Sequence, residues 1–482
     1  MKLKLIVFTF FFISMFSCSH KTIDITKEKQ VKQLDSLFKY SFKNDLFNGA
    51  VLVTKNNAIV YKKSFGYKNK QTKQNIDENS VFYLASVSKQ FTAMAILLLK
   101  EKGKLSFNSK VEDFFPEYPE RLKQITIKQL LNHTSGILDN EYYKLINPSN
   151  DDVLKVLLQN TNTKVDANQF FRYSNSGYVL LATIIEKVAQ KNIADFFKDE
   201  IFTPLQMNNT TAIKDEVNNL TNMAIGYSLT GEKSSYKSSV IGPGGIYSTL
   251  NDLYKWNLAL NQNTLVTKET LNLAFTNGNL NNGKISLKIL GQEFGYGFGW
   301  VTQYKNGKKY VNHDGSVDGF RTLIKKNLSD GYDYILLTNH GSKLPMTEII
   351  NSIDGILEKT NYQQPKIPVI NQILAKVETK DFTGIYTQIY HSIQENKLVY
   401  NQRSLNSLGY RYLKQHKLNA AIAVFKLNTK LFPKSANAFD SLAEGYYNNK
   451  QYELSKINYL KSLELNPANE NAKLMIEKIN QL

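Results

Sequence analysis

The sequence predicts an α+β fold followed by an all-α segment. Strand-like segments lie at both ends of the first 345 residues, and helix-like segments lie between them. That order is typical of an antiparallel sheet built from both ends of a domain, with flanking helices and an inserted helical subdomain. Beyond about residue 400, a helical pattern with a 34-residue repeat replaces the strands. With 482 residues, 42% of them hydrophobic and 21% charged, the chain can form two or three globular domains.

The first 18 residues have the pattern of an export signal. Two lysines precede an apolar run, Leu5 to Phe16, which is too short to span a bilayer. Cys18, the only cysteine, stands where a bacterial lipoprotein would carry its lipid. We therefore predict a lipoprotein-type signal peptide over residues 1–18, with plain cleavage as the alternative. The mature protein is expected to be exported to the cell envelope or periplasm and held at the membrane by a lipid anchor.

Periodicity and turn residues place the elements of the first domain. A helical repeat of apolar residues predicts helices over residues 24–46, 86–102, 125–136 and 174–189. Alternating apolar residues bounded by turns predict strands over residues 49–67, turning at 55–57, and over residues 310–340.

A boundary is predicted at the Gln- and Pro-containing segment 361–375. It separates a first domain, residues 19–365, from a connector over residues 366–400 and a helical segment over residues 401–482. We expect residues 384–400 or the first domain to cover the apolar face that two short repeats would otherwise expose.

The repeat beyond residue 400 rests on positions that recur 34 residues apart. The first set is Leu405, Leu408, Gly409, Tyr412, Ala421, Phe425 and Pro433, and the second is Phe439, Leu442, Ala443, Tyr446, Ser455, Tyr459 and Pro467. Large and small residues at these positions suit two meshing antiparallel helices, although a generic helical bundle is the alternative. The pattern resembles tetratricopeptide repeats over residues 402–469, followed by a closing helix. That resemblance implies a groove for a protein or peptide partner.

The stretch FYLASVSKQFTAMAILLLKEKG, residues 82–103, places Ser86 and Lys89 at the start of a helix too apolar for a surface element. Residues three apart share a helix face, and the first turn directs free N–H groups towards the serine. A buried lysine loses proton affinity and can serve as a base. Two other Ser-x-x-Lys matches, at residues 36–39 and 234–237, lie in a polar helix and a polar loop. The structural alternative is a capped helix whose lysine reaches towards water.

Several function classes lack support in the sequence. The formal charge is +18, but the lysines are spread along the chain without an arginine cluster, so no nucleic-acid partner is predicted. The six histidines have no metal-ligand spacing, and neither His-Glu-x-x-His nor Gly-x-Ser-x-Gly occurs. We therefore predict no metal and no cofactor.

Two further stretches carry polar residues suited to acyl transfer. FFRYSNSGY precedes a predicted helix, and VNHDGSVDGF lies on a predicted strand. Their candidate site residues are Tyr173, Asn175, His313, Gly315 and Ser316. His133, in LLNHTSGI, is interpreted as a residue that fixes a helix end and turn rather than as a general base.

The ordered set Ser-x-x-Lys, Tyr-x-Asn and His-x-Gly, at residues 86, 173 and 313, resembles the class C β-lactamase-related serine hydrolases. That group includes penicillin-binding proteins, D-amino-acid peptidases and esterases. The resemblance covers roughly residues 30–345 and extends to the stretches GPGGIYSTLNDLYKW and YGFGW. It implies a β-lactamase/transpeptidase-like sandwich that acts without a cofactor on a small ester, amide or peptide.

The resemblance also implies a role for each candidate side chain. Ser86 would attack an acyl carbon, and Tyr173 would take its proton, as a phenolate or through Lys89. Lys89 would lower the pKa of Tyr173 and pass protons. Asn175 would hydrogen-bond the substrate amide or Lys89.

The strand motif would complete this site. The backbone N–H groups of Ser86 and Ser316 would form an oxyanion hole, and Gly315 would let the strand approach the substrate. His313 stands where β-lactamases of this group carry a lysine. Because histidine is mostly neutral at pH 7 and Asp314 adds a negative charge, recognition of a substrate carboxylate is disfavoured.

These observations predict a serine hydrolase that works through an acyl-enzyme on an ester, amide or D-amino-acid peptide bond. A penicillin-binding D,D-peptidase or a β-lactamase is the alternative within the same class. A catalytically lapsed scaffold that binds peptides through its repeats is the alternative from another class.

Overall fold

A computed structural model describes residues 25–139, 141–159, 167–213, 220–229, 231–234, 240–289, 292–360, 362–371, 373, 389 and 398–482. The predicted signal peptide and Cys18 lie outside this part of the chain. None of the helices in these ranges combines the length and the hydropathy that a membrane span requires.

The α-helices of the described ranges are α1 (Ile25–Lys43), α2 (Lys89–Glu101), α3 (Glu120–Lys123), α4 (Ile127–Leu131), α5 (Asn150–Gln159), α6 (Asn175–Ala189), α7 (Ile193–Phe197), α8 (Leu250–Gln262), α9 (Lys268–Ala274), α10 (Met346–Leu357), α11 (Gln402–Lys414), α12 (Leu418–Leu431), α13 (Ala436–Asn448), α14 (Tyr452–Leu465) and α15 (Glu470–Asn480). The strands are β1 (Gly49–Lys55), β2 (Ala58–Phe65), β3 (Tyr67–Asn69), β4 (Gln74–Asn75), β5 (Phe82–Tyr83), β6 (Thr211–Ala212), β7 (Ile246–Ser248), β8 (Asn279–Leu280), β9 (Gly283–Lys284), β10 (Leu287–Ile289), β11 (Gln292–Tyr296), β12 (Val301–Lys305), β13 (Lys308–Val317), β14 (Phe320–Asn327), β15 (Tyr332–Thr338), β16 (Ile367–Pro368) and β17 (Leu398–Val399).

The central sheet joins the two ends of the first domain. Its strand order is β10-β11-β12-β13-β14-β15-β1-β2, and every neighbouring pair is antiparallel. Strand β1 pairs with β15 in a register that sets Gly49 opposite Thr338. The predicted α+β fold, with strands at both ends and helices between them, is therefore confirmed.

Both faces of this sheet are covered by helices. On one face, Val51 and Val53 pack with residues of α1 and α10. On the other face, Leu52 and Leu337 join the larger core that includes α2, α6 and α8. Six of the seven residues of β1 are therefore buried, which explains why this strand has a continuous apolar run instead of an alternating one.

Two predicted helix boundaries differ from the structure. The helix predicted from residue 86 begins with a 3₁₀ turn, Ala85–Ser88, before α2 starts at Lys89. The helix predicted over 125–136 is wrong in length, because α4 spans only Ile127–Leu131. The chain leaves the helix where His133 adopts a positive φ of 60°, a conformation that an α-helix cannot contain.

The C-terminal helices form two pairs that repeat every 34 residues. Helices α13 and α14 begin and end 34 residues after α11 and α12, respectively. The repeat needs a small residue at Gly409, because a Cβ atom there would lie 2.2 Å from Cε1 of Phe425. The helical segment and its internal period are thus present as predicted.

The first domain and the connector cover the first helical pair. Leu229 of the first domain and Val369 of the connector are buried in one cluster with Leu405 of α11. The Gln415 side-chain amide also donates to the Glu232 carboxylate at 3.1 Å. Cover from the part of the chain before residue 365 agrees with the expectation, whereas Val369 lies outside the predicted range 384–400.

Candidate active site

One open cleft of about 840 Å³ lies where the sheet meets the helical subdomain. Five of the predicted site residues line it, and they come from three separate parts of the chain. They are Ser86, Tyr173, Asn175, His313 and Ser316. Lys89 lies directly beneath the surface of the cleft and is fully buried. The fold therefore brings together residues that are more than 200 positions apart.

The Lys89 ammonium is held by three oxygen acceptors. It donates to Ser86 Oγ at 3.2 Å, to Asn175 Oδ1 at 2.9 Å and to the carbonyl of Pro243 at 3.0 Å. Three acceptors match the three protons of a charged lysine. Ser86 lies in the 3₁₀ turn that precedes α2, and the side chain of Lys89, the first residue of α2, reaches back to its hydroxyl.

Burial changes the protonation of Lys89. It lowers the pKa of the ammonium from 10.5 to about 7, although the charges of Asp139 and Asp314 act in the opposite direction. An exposed lysine is almost fully charged at neutral pH, whereas Lys89 is a free amine in a large fraction of the molecules. A free amine 3.2 Å from a serine hydroxyl can accept its proton.

Tyr173 lies beside this pair, but its chemistry differs from the prediction. The Lys89 Nζ is 4.7 Å from the centre of the Tyr173 ring, so the cation faces the ring and not the hydroxyl. Within the described residues, the buried Tyr173 hydroxyl has no hydrogen-bond partner in good geometry. Burial raises its pKa well above 10, and the nearby Ser86 hydroxyl only partly offsets this effect. The net direction of this pKa shift is therefore opposite to the predicted one, because burial is its largest cause.

The start of α6 positions Asn175. Ser174 caps the helix, with its Oγ accepting from the N–H of Gly177. The buried Asp139 carboxylate accepts from Ser174 Oγ and from the N–H of Ser176, both at 3.0 Å, and from the N–H of Asn175. A carboxylate at a helix N-terminus is favourable because the first N–H groups lack partners. Sequence reasoning missed Asp139, since it lies 36 residues before Asn175 and outside every motif.

His313 is held at both ring nitrogens. Its Nδ1 lies 2.7 Å from the carbonyl of Asp314, and its Nε2 lies 2.9 Å from the Tyr296 hydroxyl. A carbonyl only accepts, so Nδ1 carries the proton and Nε2 accepts from Tyr296. Burial and the Lys89 charge lower the His313 pKa to about 4. His313 is therefore neutral, and neither nitrogen is available to a substrate carboxylate.

Gly315 serves a contact that differs from the predicted one. A Cβ atom at this position would lie 2.1 Å from the carbonyl oxygen of Leu84. Glycine therefore lets β13 approach the chain just before Ser86, whereas the sequence predicted an approach to the substrate. Strand β12 pairs with β13 only as far as Asn312. The exposed Ser316 lies beyond this pairing, on a part of β13 that pairs with β14.

His133 fixes the segment that carries Tyr173. Its Nδ1 accepts from the N–H of Ser174 at 3.1 Å, and its carbonyl accepts from the N–H of Arg172 at 2.8 Å. The ring centres of His133 and Tyr173 are 4.3 Å apart. Burial holds the His133 pKa well below 6.5, so the ring is neutral. These contacts agree with its interpretation as a structural residue.

Among the residues that the structure describes, no three His, Cys, Asp or Glu side chains gather as metal ligands. The chemistry available in the described cleft is that of a serine hydroxyl, a weakly basic amine, a phenol and backbone N–H groups. Such a set is suited to acyl transfer through a covalent intermediate.

Comparison with known proteins places this chain in a family. The beta-lactamase family model matches residues 34–347. Penicillin-binding protein 4* of Bacillus subtilis (strain 168) is 32% identical over 367 residues, covering 71% of this chain and 79% of that protein.

Solved structures agree with this result. The octameric penicillin-binding protein homologue from Pyrococcus abyssi matches with a TM-score of 0.63 and 26% identity, covering 74% of this chain and 82% of that one. D-amino acid amidase from Ochrobactrum anthropi SV3 shares the fold, with a TM-score of 0.57 at 19% identity over 70% of this chain and 99% of that one. With its antiparallel sheet and flanking helices, the chain has the β-lactamase/transpeptidase-like α+β fold and belongs to the beta-lactamase family.

Proposed function

We propose that the protein is a serine hydrolase that forms an acyl-enzyme on Ser86. The observation that carries the proposal is the buried Lys89 amine, 3.2 Å from Ser86 Oγ and with a pKa of about 7. Neutral Lys89 takes the hydroxyl proton while Oγ bonds to the acyl carbon of the substrate. The bond to the leaving atom then breaks, and that atom takes up the proton. Water releases the acyl group in a second step of the same kind.

The neighbouring residues support this step. Asn175 holds Lys89 in place, and the backbone N–H groups of Ser86 and Ser316 stabilise the oxyanion. Tyr173 keeps its proton in the free protein, because its pKa is raised. Its hydroxyl is therefore a hydrogen-bond donor to the leaving atom, and the catalytic base is the Lys89 amine.

We assign the substrate to esters, amides or D-amino-acid peptides. Within the family, the three motifs favour the class C-related hydrolases. A penicillin-binding D,D-peptidase or β-lactamase is the second candidate, supported by the similarity to penicillin-binding protein 4*. His313 argues against it, since both of its nitrogens are already bonded.

The remaining proposals concern location and partners. The N-terminal pattern supports export to the cell envelope with a lipid on Cys18. The 34-residue period of α11–α14 supports tetratricopeptide repeats that hold a protein or peptide partner. If Ser86 did not react, the remaining proposal would be a scaffold that binds peptides through these repeats.

Covalent labelling tests the proposed function. The protein is treated with a fluorophosphonate and, separately, with a penicillin, and peptides are examined by mass spectrometry. We expect an adduct on Ser86, no adduct in Ser86→Ala and a weak one in Lys89→Ala. Ser36→Ala is the matched control, because Ser36 has the same spacing to Lys39 but is exposed on α1. Absence of an adduct with both reagents would leave the scaffold function.

His133→Phe is expected to lower kcat for a p-nitrophenyl ester by about tenfold, because the N–H of Ser174 loses its acceptor and Tyr173 shifts. His133→Asn should retain most of the activity, since its Oδ1 stands close to the position of Nδ1 and asparagine tolerates a positive φ. Steady-state kinetics and thermal unfolding check both variants. Equal losses in the two variants would show that the Nδ1 contact is not what matters.

Truncation after residue 365 is expected to leave hydrolysis of small esters largely intact, because all the motif residues precede that point. The melting temperature should fall by a few degrees, since Leu229 loses its apolar neighbours in the helical segment. Ester kinetics and calorimetry on both lengths of chain measure these effects. A truncated protein that folds but does not hydrolyse esters would contradict the prediction.

A further inference from the structure

The mouth of the cleft carries exposed apolar side chains. Ile146 is 90% exposed and Tyr143 is 69% exposed, and both line the same cleft as Ser86. The Tyr143 hydroxyl accepts from Asn175 Nδ2 at 3.1 Å, which fixes this ring to the residue that holds Lys89. Large apolar side chains left exposed together beside a catalytic serine indicate a binding surface.

The other walls of the cleft are also largely apolar. Its lining includes aromatic and aliphatic side chains from several elements, namely Tyr83, Phe171, Leu287, Tyr296, Val301 and Val317. Among the described lining residues, Asp314 is the only one with a charged side chain. Its partner is Arg321, 3.2 Å away, which faces Asp314 from β14.

We propose that the site takes substrates whose acyl group is apolar, several carbons long and free of a carboxylate. This inference rests on the proposed function, because it concerns the group that Ser86 would carry. The acyl group is joined to Ser86 in the first step and released from it in the second, so the walls around Ser86 contact it in both transition states. Apolar walls favour methylene groups and disfavour a carboxylate, and the one charged side chain among the described lining residues is an anion already paired with Arg321.

A series of p-nitrophenyl esters with one leaving group tests the proposal. From acetate to butyrate and hexanoate, kcat/KM is expected to rise by about two- to fourfold for each added methylene. The monoanionic glutarate ester matches the valerate ester in length and differs by its terminal carboxylate. We expect it to react at least about tenfold more slowly than valerate. A flat series, or a glutarate ester that reacts as fast as valerate, would overturn the proposal.

Two isoleucine variants locate the effect. Ile146→Ser should lower kcat/KM for hexanoate more than for acetate, and so flatten the series. Ile457→Ser is the matched control, since Ile457 is 59% exposed on α14 and outside the cleft lining. Both sites are exposed, so neither change threatens folding. If Ile146→Ser keeps the full slope, the rim does not bind the acyl group.

This result is separate from that of the labelling experiment. Adducts on Ser86 together with a flat ester series would refute the acyl preference and leave the hydrolase intact. Absence of a Ser86 adduct and of any ester hydrolysis would refute the hydrolase itself.

Discussion

Lys89→Met is expected to lower kcat/KM for p-nitrophenyl esters by about 10³-fold, because the variant has no amine to accept the Ser86 proton. Methionine nearly matches the length and apolar character of the lysine stem, so the buried site stays filled. Lys89→Arg should be almost as inactive, since a guanidinium does not lose its proton in proteins. Steady-state kinetics on the three proteins measure the loss.

The pH dependence follows from the same group. In the wild type, kcat/KM should rise with pH through about 7, as Lys89 changes from ammonium to amine. If Lys89→Met or Lys89→Arg keeps measurable activity, its kcat/KM should not show this rise through pH 7. Retention of the rise in Lys89→Met would assign the base to another residue.

Lys89→Met should raise the stability of the folded protein, although it lowers the activity. The Lys89 pKa is 10.5 when unfolded and about 7 when folded, so the unfolded chain binds more protons between these values. The ammonium therefore destabilises the folded protein fully below pH 7, and this effect decreases as pH rises towards 10.5. At pH 6, Lys89→Met should melt at or above the wild-type temperature. Lys102→Met, just beyond the end of α2, is the control and should change neither property.

The sequence was sufficient for the elements that have strong local patterns. The turn at Asn56 and Asn57, which joins β1 to β2, was predicted correctly, because asparagine tolerates the positive φ that both residues adopt. The helix predicted over residues 174–189 agrees with α6, since a long apolar run follows its cap, Ser174. The 34-residue offset gave the helical pairs of the C-terminal segment for the same reason: each pair repeats the same apolar positions.

The errors concern interactions that only the folded chain creates. The Tyr173 pKa was predicted from one neighbour, the Lys89 charge, whereas desolvation is the larger cause in the structure. The partner of His313 is Tyr296, the first residue of YGFGW. Nothing in the sequence around Tyr296 indicates that its hydroxyl bonds to His313. Helix α4 ended early because His133 serves a contact to Ser174, and periodicity carries no information about it.

Asp139 has the largest expected effect among residues outside the motifs. Asp139→Asn replaces one carboxylate oxygen by an NH₂ group, which would face either the N–H of Asn175 or the Ser174 hydroxyl and the N–H of Ser176. At least one buried donor then loses its acceptor, so we expect a loss of about 1–3 kcal/mol in the free energy of unfolding. Asn175 should shift with the start of α6, and kcat should fall because Lys89 loses a well-placed acceptor.

The pH profile distinguishes this electrostatic effect from simple damage to the helix start. Asp139 raises the pKa of Lys89 in the wild type, in opposition to burial. Removing its charge should lower that pKa, and the acid limb of kcat/KM should move to lower pH. Asp199→Asn, an exposed aspartate paired with Lys191, removes the same charge far from the cleft and should leave the limb unmoved. An acid limb that stays in place in Asp139→Asn would mean that the titrating base is not Lys89, because the Asp139 charge raises the Lys89 pKa.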